Sequence, residues 1–438
     1  MTCVADAGGD SGEAEGGDAG GGEPGGGEPD ADRGQPRSVR PRTISKISHE
    51  MSSEQSLAPT RTALGTWSGG RFMHFGEALD DERFERLITP DREIQTVLTA
   101  DVYGTGEADE RLGRALAKAI GRPGGLTREE VCVVGAVGHD FYDGERDGAK
   151  GFPRFTDPRL RGPEQYGDYL KLATERSLGR IGLDHFDLLL LHNPDRIGYT
   201  SEAVWDGMQA LKDSGLARRI GVAPGPANGF TLDLIDCFER FGDRIDWAMV
   251  ILNPLEPWPG EYCLDAAASR DIKVITRVVD YGGLFFDDLL PGQEMAPKDH
   301  RSFRPQGWIE AGRERFEQMR PIADRAGLTM IQLACQWNLA HPAVETVVPT
   351  LVQEAGPLAR PVEQKRAELA ALPTQQRLTP EDVERIRELG DNTGSMALKG
   401  AHPFHEGDER PDGWAIYDRL EAVAQRWEID PARDLIKA

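Results

Sequence analysis

A (β/α)8 barrel, preceded by a disordered N-terminal tail and followed by an extra C-terminal helical segment, is the fold this sequence predicts. Three observations predict it. Eight short apolar, β-branched runs recur between Leu64 and Pro349. Amphipathic helical stretches separate them, and continuous apolar strands each followed by a helix mean a parallel sheet covered on its outer face. No G-x-G-x-x-G follows any run, so an open dinucleotide-binding sheet lacks its main support, and eight repeats over roughly 300 residues suit a closed barrel.

The elements follow in order. Residues 1–35 hold nine acidic residues, one arginine and twelve glycines with almost nothing apolar, too little to offset the entropy of ordering. Residues 1–50 are therefore read as a disordered tail, 51–395 as the barrel and 396–438 as an extension packing on it. Strands are expected at Leu64–Trp67, Gln95–Ala100, Val131–Val137, Phe186–His192, Arg219–Ala223, Trp247–Leu252, Lys273–Val279 and Val344–Pro349. Helices are expected at Glu107–Ile120, Glu164–Arg180, Ser201–Ser214, Thr231–Phe241, Glu261–Arg270, Pro305–Ala326 and Thr329–Ala340, then at Pro361–Leu372 and Thr379–Leu389. Trp414, Tyr417, Leu420, Val423 and Trp427 recur at helical spacing, which predicts a further helix over Gly413–Trp427 that packs against the outer ring, the alternatives being a cover over the barrel mouth or a subunit contact in a homo-oligomer.

Composition narrows the function. Fifty-one basic against 74 acidic residues leave a net charge of −23, which argues against nucleic acid as a partner. No apolar run approaches the ~18–20 residues that span a bilayer, and the polar, acidic start does not resemble a secretory signal. Five scattered cysteines without C-x-x-C spacing suggest neither a disulfide framework nor a metal site. A cytoplasmic protein is expected. Ten lysines against 41 arginines, with abundant Gly, Ala and Pro, read as a GC-rich bacterial genome.

In a barrel of this kind chemistry gathers at the strand C-terminal ends. The second strand ends in Thr99-Ala100-Asp101-Val102-Tyr103-Gly104, and the fourth is leucine-rich and closes on His192-Asn193-Pro194-Asp195. Ser177-Leu178-Gly179-Arg180-Ile181 precedes that strand, and Asn253-Pro254-Leu255 follows the sixth. On these motifs the chain resembles the aldo-keto reductase superfamily from about Leu64 to Gly390. The resemblance implies a proton-donating tyrosine, matched by Tyr103, and a substrate-orienting histidine, matched by His192. The Asp and Lys that tune the tyrosine are not matched: Leu98 and Ala136 stand at their positions. The implied nicotinamide contacts are altered too, to Ala223, Pro224 and Met249, and Gln364 and Glu368 replace the adenylate-gripping pair, with Arg360 and Lys365 as substitutes.

Four further residues belong to the expected pocket. Trp67 lines the end of the first strand and Arg277 ends the seventh, where it is suited to a substrate carboxylate or phosphate. His139, beside Asp140, is a candidate base or part of a solvated loop, and Asn193 is a supporting polar group. An unassisted tyrosine titrates near ~10 and gives up its proton sluggishly, so loss of the charged pair predicts weakened hydride chemistry. The expectation is an enzyme requiring no cofactor, with NADPH binding weak or lost, that moves protons on a carbonyl-bearing small molecule as a lyase, dehydratase, cyclase or isomerase, in bacterial secondary metabolism. An NADPH-dependent reductase and a noncatalytic binding protein are the alternatives.

Overall fold

The computed structural model describes residues 57–147, 151–225, 231–293, 295–296, 298–304, 306–392 and 416–434. The expected disordered tail, residues 1–50, lies outside them. Eight parallel strands pair in chain order: β1 (Ala63–Gly65), β2 (Thr96–Leu98), β3 (Cys132–Val137), β4 (Leu188–His192), β5 (Ile220–Ala223), β6 (Trp247–Ile251), β7 (Lys273–Arg277) and β8 (Val344–Val348). A parallel bridge between Thr62 and Val347, with the Val347 amide donating to the Arg61 carbonyl at 2.9 Å, closes β8 onto β1. All eight expected strands form, each within a few residues of its expected limits.

Strand alternation sorts the side chains. On β3, Cys132, Val134 and Ala136 join Leu98, Leu188, Leu190, Ala223, Met249, Ile275 and Val348 in one apolar cluster that fills the barrel interior. Their neighbours Val133, Val137, Leu189, Leu191 and Val222 belong instead to the larger core shared with the surrounding helices. Because the period is two, His192 falls on the inward side with Leu188 and Leu190, and Arg277 falls inward with Ile275. Register carries these residues to one rim: His192 lies opposite Ala223, and Arg277 lies opposite both Ile251 and Val348.

Helices cover the outer face at Glu107–Ala119, Tyr166–Ile181, Glu202–Asp213, Thr231–Phe241, Trp308–Ala326 and Met330–Leu339. A helix at Asp81–Ile88, absent from the sequence expectation, is capped by Asp80, whose carboxylate accepts from the Arg83 amide. The helix expected at Glu261–Arg270 is shorter, Leu264–Ala268, after a 3-10 turn at Gly260–Cys263. Gly260 permits that turn, since a Cβ there would sit 2.1 Å from the Ile251 carbonyl. Toward the C-terminus, helix Asp418–Arg426 lies against Thr231–Phe241: Leu420 and Val423 are buried, Arg419 pairs with Asp236 at 2.7 Å, and Trp427 donates to Glu239 at 3.0 Å. Among the described residues no helix is long and apolar enough to cross a membrane.

Candidate active site

Two strand ends bring the central pair together. After β2 the chain turns through a 3-10 segment at Tyr103–Gly106, in which Gly104 and Thr105 take positive φ, and this turn presents Tyr103 beside the lumen. β4 delivers His192. The two rings stand perpendicular with centroids 5.8 Å apart. Trp67 meets Tyr103 edge to face at 6.5 Å and donates its indole N–H to Thr350 Oγ1 at 3.2 Å, so it forms part of the wall.

A third ring completes the group, since His139 lies 5.2 Å from His192, centroid to centroid. Gly138 makes this approach possible: a Cβ there would lie 2.4 Å from the His192 carbonyl oxygen. Asn193, held at φ 46°, turns its amide nitrogen to His139 Nε2 at 3.1 Å. On the other side of that ring, Arg154 Nη1 lies 3.0 Å from Nδ1, while Arg154 Nε donates to the Asn193 carbonyl. Asp140 is not the partner of His139. Its carboxylate is buried, pairs with Arg161 and accepts from the Tyr142 and Asp143 amides.

The electrostatics keep both imidazoles neutral. Burial pushes the His192 pKa down to about 3, and the Arg154 and Arg277 guanidiniums push in the same direction. His139 is held well below its ordinary value, again by burial first and then by Arg154. His192 is 6% exposed, and its buried Nδ1 has no hydrogen-bond partner among the described residues. Arg277 donates from Nη2 to the Pro224 carbonyl at 3.0 Å, whereas its buried Nε has no partner there either.

The remaining pocket positions are apolar. Leu98 and Ala136, where the resemblance places an Asp and a Lys, are buried in the interior cluster with Ala223 and Met249. A side chain able to hold a nicotinamide amide is therefore missing at Ala223, Pro224 and Met249. The two basic substitutes are engaged elsewhere: Lys365 is fully buried, 2.7 Å from both Asp288 and the Val352 carbonyl, and Arg360 contacts Glu368 at 2.5 Å and the Phe286 carbonyl at 2.8 Å. Arg360 and Glu368 line a cavity of about 460 Å³ with Asp287, Arg320, Phe286 and Leu328, a cavity whose lining includes neither Tyr103 nor His192. These residues do not repeat the polar grip that the resemblance implies.

Sequence reasoning missed three participants. Arg154 comes from the β3 loop, joined to His139 by an antiparallel bridge, and carries no motif. Asp280 accepts from the Thr350 amide at 2.6 Å and the Gly283 amide at 2.7 Å, tying the loops after β7 and β8 together. Buried Arg301 bridges Asp299 and Glu354 beneath the same loops.

The sequence model of the Aldo/keto reductase family matches residues 63–391. A probable voltage-gated potassium channel subunit beta of Arabidopsis thaliana is 22% identical over 321 residues, covering 69% of this chain and 88% of the relative. Versiconal hemiacetal acetate reductase of Aspergillus parasiticus is 24% identical over 360 residues, covering 76% and 94%. Among solved structures, the holo form of aldo-keto reductase AKR11C1 from Bacillus halodurans is 22% identical, covers 76% of this chain and 92% of its own, and superposes with a TM-score of 0.51. An aldo/keto reductase from Klebsiella pneumoniae in complex with NADP and acetate is 19% identical with a TM-score of 0.48, covering 76% and 95%.

These findings overturn the expectation that no cofactor is required: the matched family is one of reductases, and the AKR11C1 structure on this barrel is a holo form. The match over residues 63–391, on a closed eight-stranded parallel barrel with Tyr103 and His192 at its rim, establishes that this chain belongs to the aldo/keto reductase family.

Proposed function

We propose that this chain is an enzyme acting on a carbonyl-bearing small molecule, with Tyr103 exchanging a proton with the carbonyl oxygen and His192 orienting that oxygen. The observation that carries this reading is the perpendicular Tyr103–His192 pair at the rim of an apolar lumen, with the imidazole kept neutral by burial and two nearby guanidiniums. A neutral imidazole can donate one N–H to a carbonyl oxygen without competing for its proton. Apolar walls at Leu98, Ala136 and Met249 exclude water from the transfer, which strengthens each polar contact inside.

Reduction is the reaction class that the names of relatives support, including versiconal hemiacetal acetate reductase and 6-dehydroglucose reductase. No side chain in the pocket is a hydride donor, so reduction draws on the family's cofactor while the protein's own groups handle the proton. A second reading, proton transfer without net redox change such as enolisation or β-elimination, is favoured by Leu98 and Ala136, which leave Tyr103 without the charged pair. Stoichiometry separates the two. The purified protein is mixed with NADPH and a panel of aldehydes and ketones, and product and oxidised cofactor are both quantified. Reduction gives one NADP⁺ per alcohol formed; product formed without NADPH oxidation replaces it with the second reading. No conversion of any carbonyl with Tyr103 intact would overturn both.

A further inference from the structure

We propose that the pocket selects carbonyl substrates carrying a carboxylate, and that Arg277 is the group that recognises it. This rests on the carbonyl-converting reading and adds its substrate class. Arg277 ends β7 on the inward side, at the same rim as His192, and its guanidinium acts electrostatically on both His192 and Tyr103. One of its N–H groups is satisfied by the Pro224 carbonyl, but the buried Nε is not, and no carboxylate among the described residues forms an ion pair with it. Glu256 is the acid whose field it feels, and that carboxylate lies 3.1 Å from Asn253 and 3.7 Å from Arg304.

A half-buried guanidinium whose Nε is buried without a partner is costly unless an anion completes it. A second cation, Arg154, acts on His192 and His139 from the β3 loop, so the walls around the reacting carbonyl are positive in a chain of net charge −23. A planar carboxylate suits a guanidinium, which offers several coplanar donors; burial lowers the Arg277 pKa, and a bound anion would oppose that shift. A neutral aldehyde of the same size would leave Nε–H and the positive field uncompensated.

The test has two arms, both run on the full chain. In the first, kcat/KM is measured for 4-carboxybenzaldehyde and for its neutral methyl ester, methyl 4-formylbenzoate. The wild-type protein is expected to prefer the acid by about tenfold or more, Arg277→Met to lose that preference, and Arg277→Lys to keep part of it. In the second, calorimetry compares benzoate with benzamide: benzoate binds wild type about tenfold more tightly, and Arg277→Met abolishes the difference. Circular dichroism verifies that both variants are folded. Benzoate binding no tighter than benzamide, or an unchanged acid preference in a folded Arg277→Met protein, overturns the proposal. Arg277-dependent benzoate binding without turnover of any carbonyl upholds the anion site while defeating the catalytic reading, so the two fail separately.

Discussion

The imidazole of His192 stands perpendicular to the ring of Tyr103 at 5.8 Å, buried and with Nδ1 unpartnered among the described residues, although the two residues lie at the ends of different strands. Barrel closure in chain order carries them to one rim. The same closure brings Arg277 there from β7 and, through the Gly138 turn, His139 from beyond β3.

The first prediction concerns acid stability. In the folded protein His192 takes up a proton only near pH 3, whereas the unfolded chain's histidine does so near 6.5. Between those values the unfolded state binds more protons, so stability falls as pH drops from about 6.5 towards 3; above 6.5 the effect vanishes. His139 adds a shift of the same sign. Melting temperature measured against pH should therefore fall less steeply on the acid side for His192→Gln than for wild type. Parallel curves would show that His192 is not held neutral by the fold.

A second prediction addresses the loops after β7 and β8. Arg301 is 2% exposed and neutralises both Asp299 and Glu354, with Nη2 lying 2.7 Å and 2.8 Å from their carboxylates. Arg301→Met leaves two buried carboxylates without their cation and should cost about 3–5 kcal/mol in urea unfolding. Adding Glu354→Gln removes one of those charges and should recover part of the loss. A single variant as stable as wild type would mean that these carboxylates find water instead.

The third prediction concerns the C-terminal helix. Leu420 and Val423 are buried against Thr231–Phe241, and Arg426 also pairs with Glu239. Leu420→Ala should cost about 2–5 kcal/mol locally. Because this helix lies on the outer ring, the loss should appear as faster amide hydrogen exchange in 418–426 and 231–241, with β2 and β4 unaffected. Uniformly faster exchange would mean that the helix unfolds only with the barrel.

Much of this molecule was legible in the sequence because strand and helix periodicities are local. The apolar runs marked all eight strands, and Tyr103 and His192 stood in short motifs at two strand ends. The inward positions of Leu98, Ala136 and Met249 follow from alternation once the register is known. What escaped was set by distance along the chain. Lys365 reads, through the resemblance, as a substitute cofactor contact, but it is buried and paired with Asp288, 77 residues earlier, which nothing near residue 365 signals. Arg154 reaches His139 only because the loop folds back on itself, and nothing near residue 154 signals that. His139 and Asp140 read as a pair, but Arg161 draws the carboxylate away from the imidazole. The cofactor expectation fails for another reason: altered residues at individual contact positions do not by themselves abolish a cofactor site, and the matched family is one of reductases.

The proposed chemistry depends most directly on the proton carried by Tyr103. Steady-state turnover of a carbonyl substrate converted by the wild-type protein, compared with Tyr103→Phe at equal melting temperature, measures it. Removing one hydroxyl from a ring whose packing against Trp67 and His192 is kept should lower kcat by about 10²–10⁴-fold without unfolding. Turnover undiminished in a folded Tyr103→Phe protein would contradict the account and move the chemistry away from the Tyr103–His192 pair.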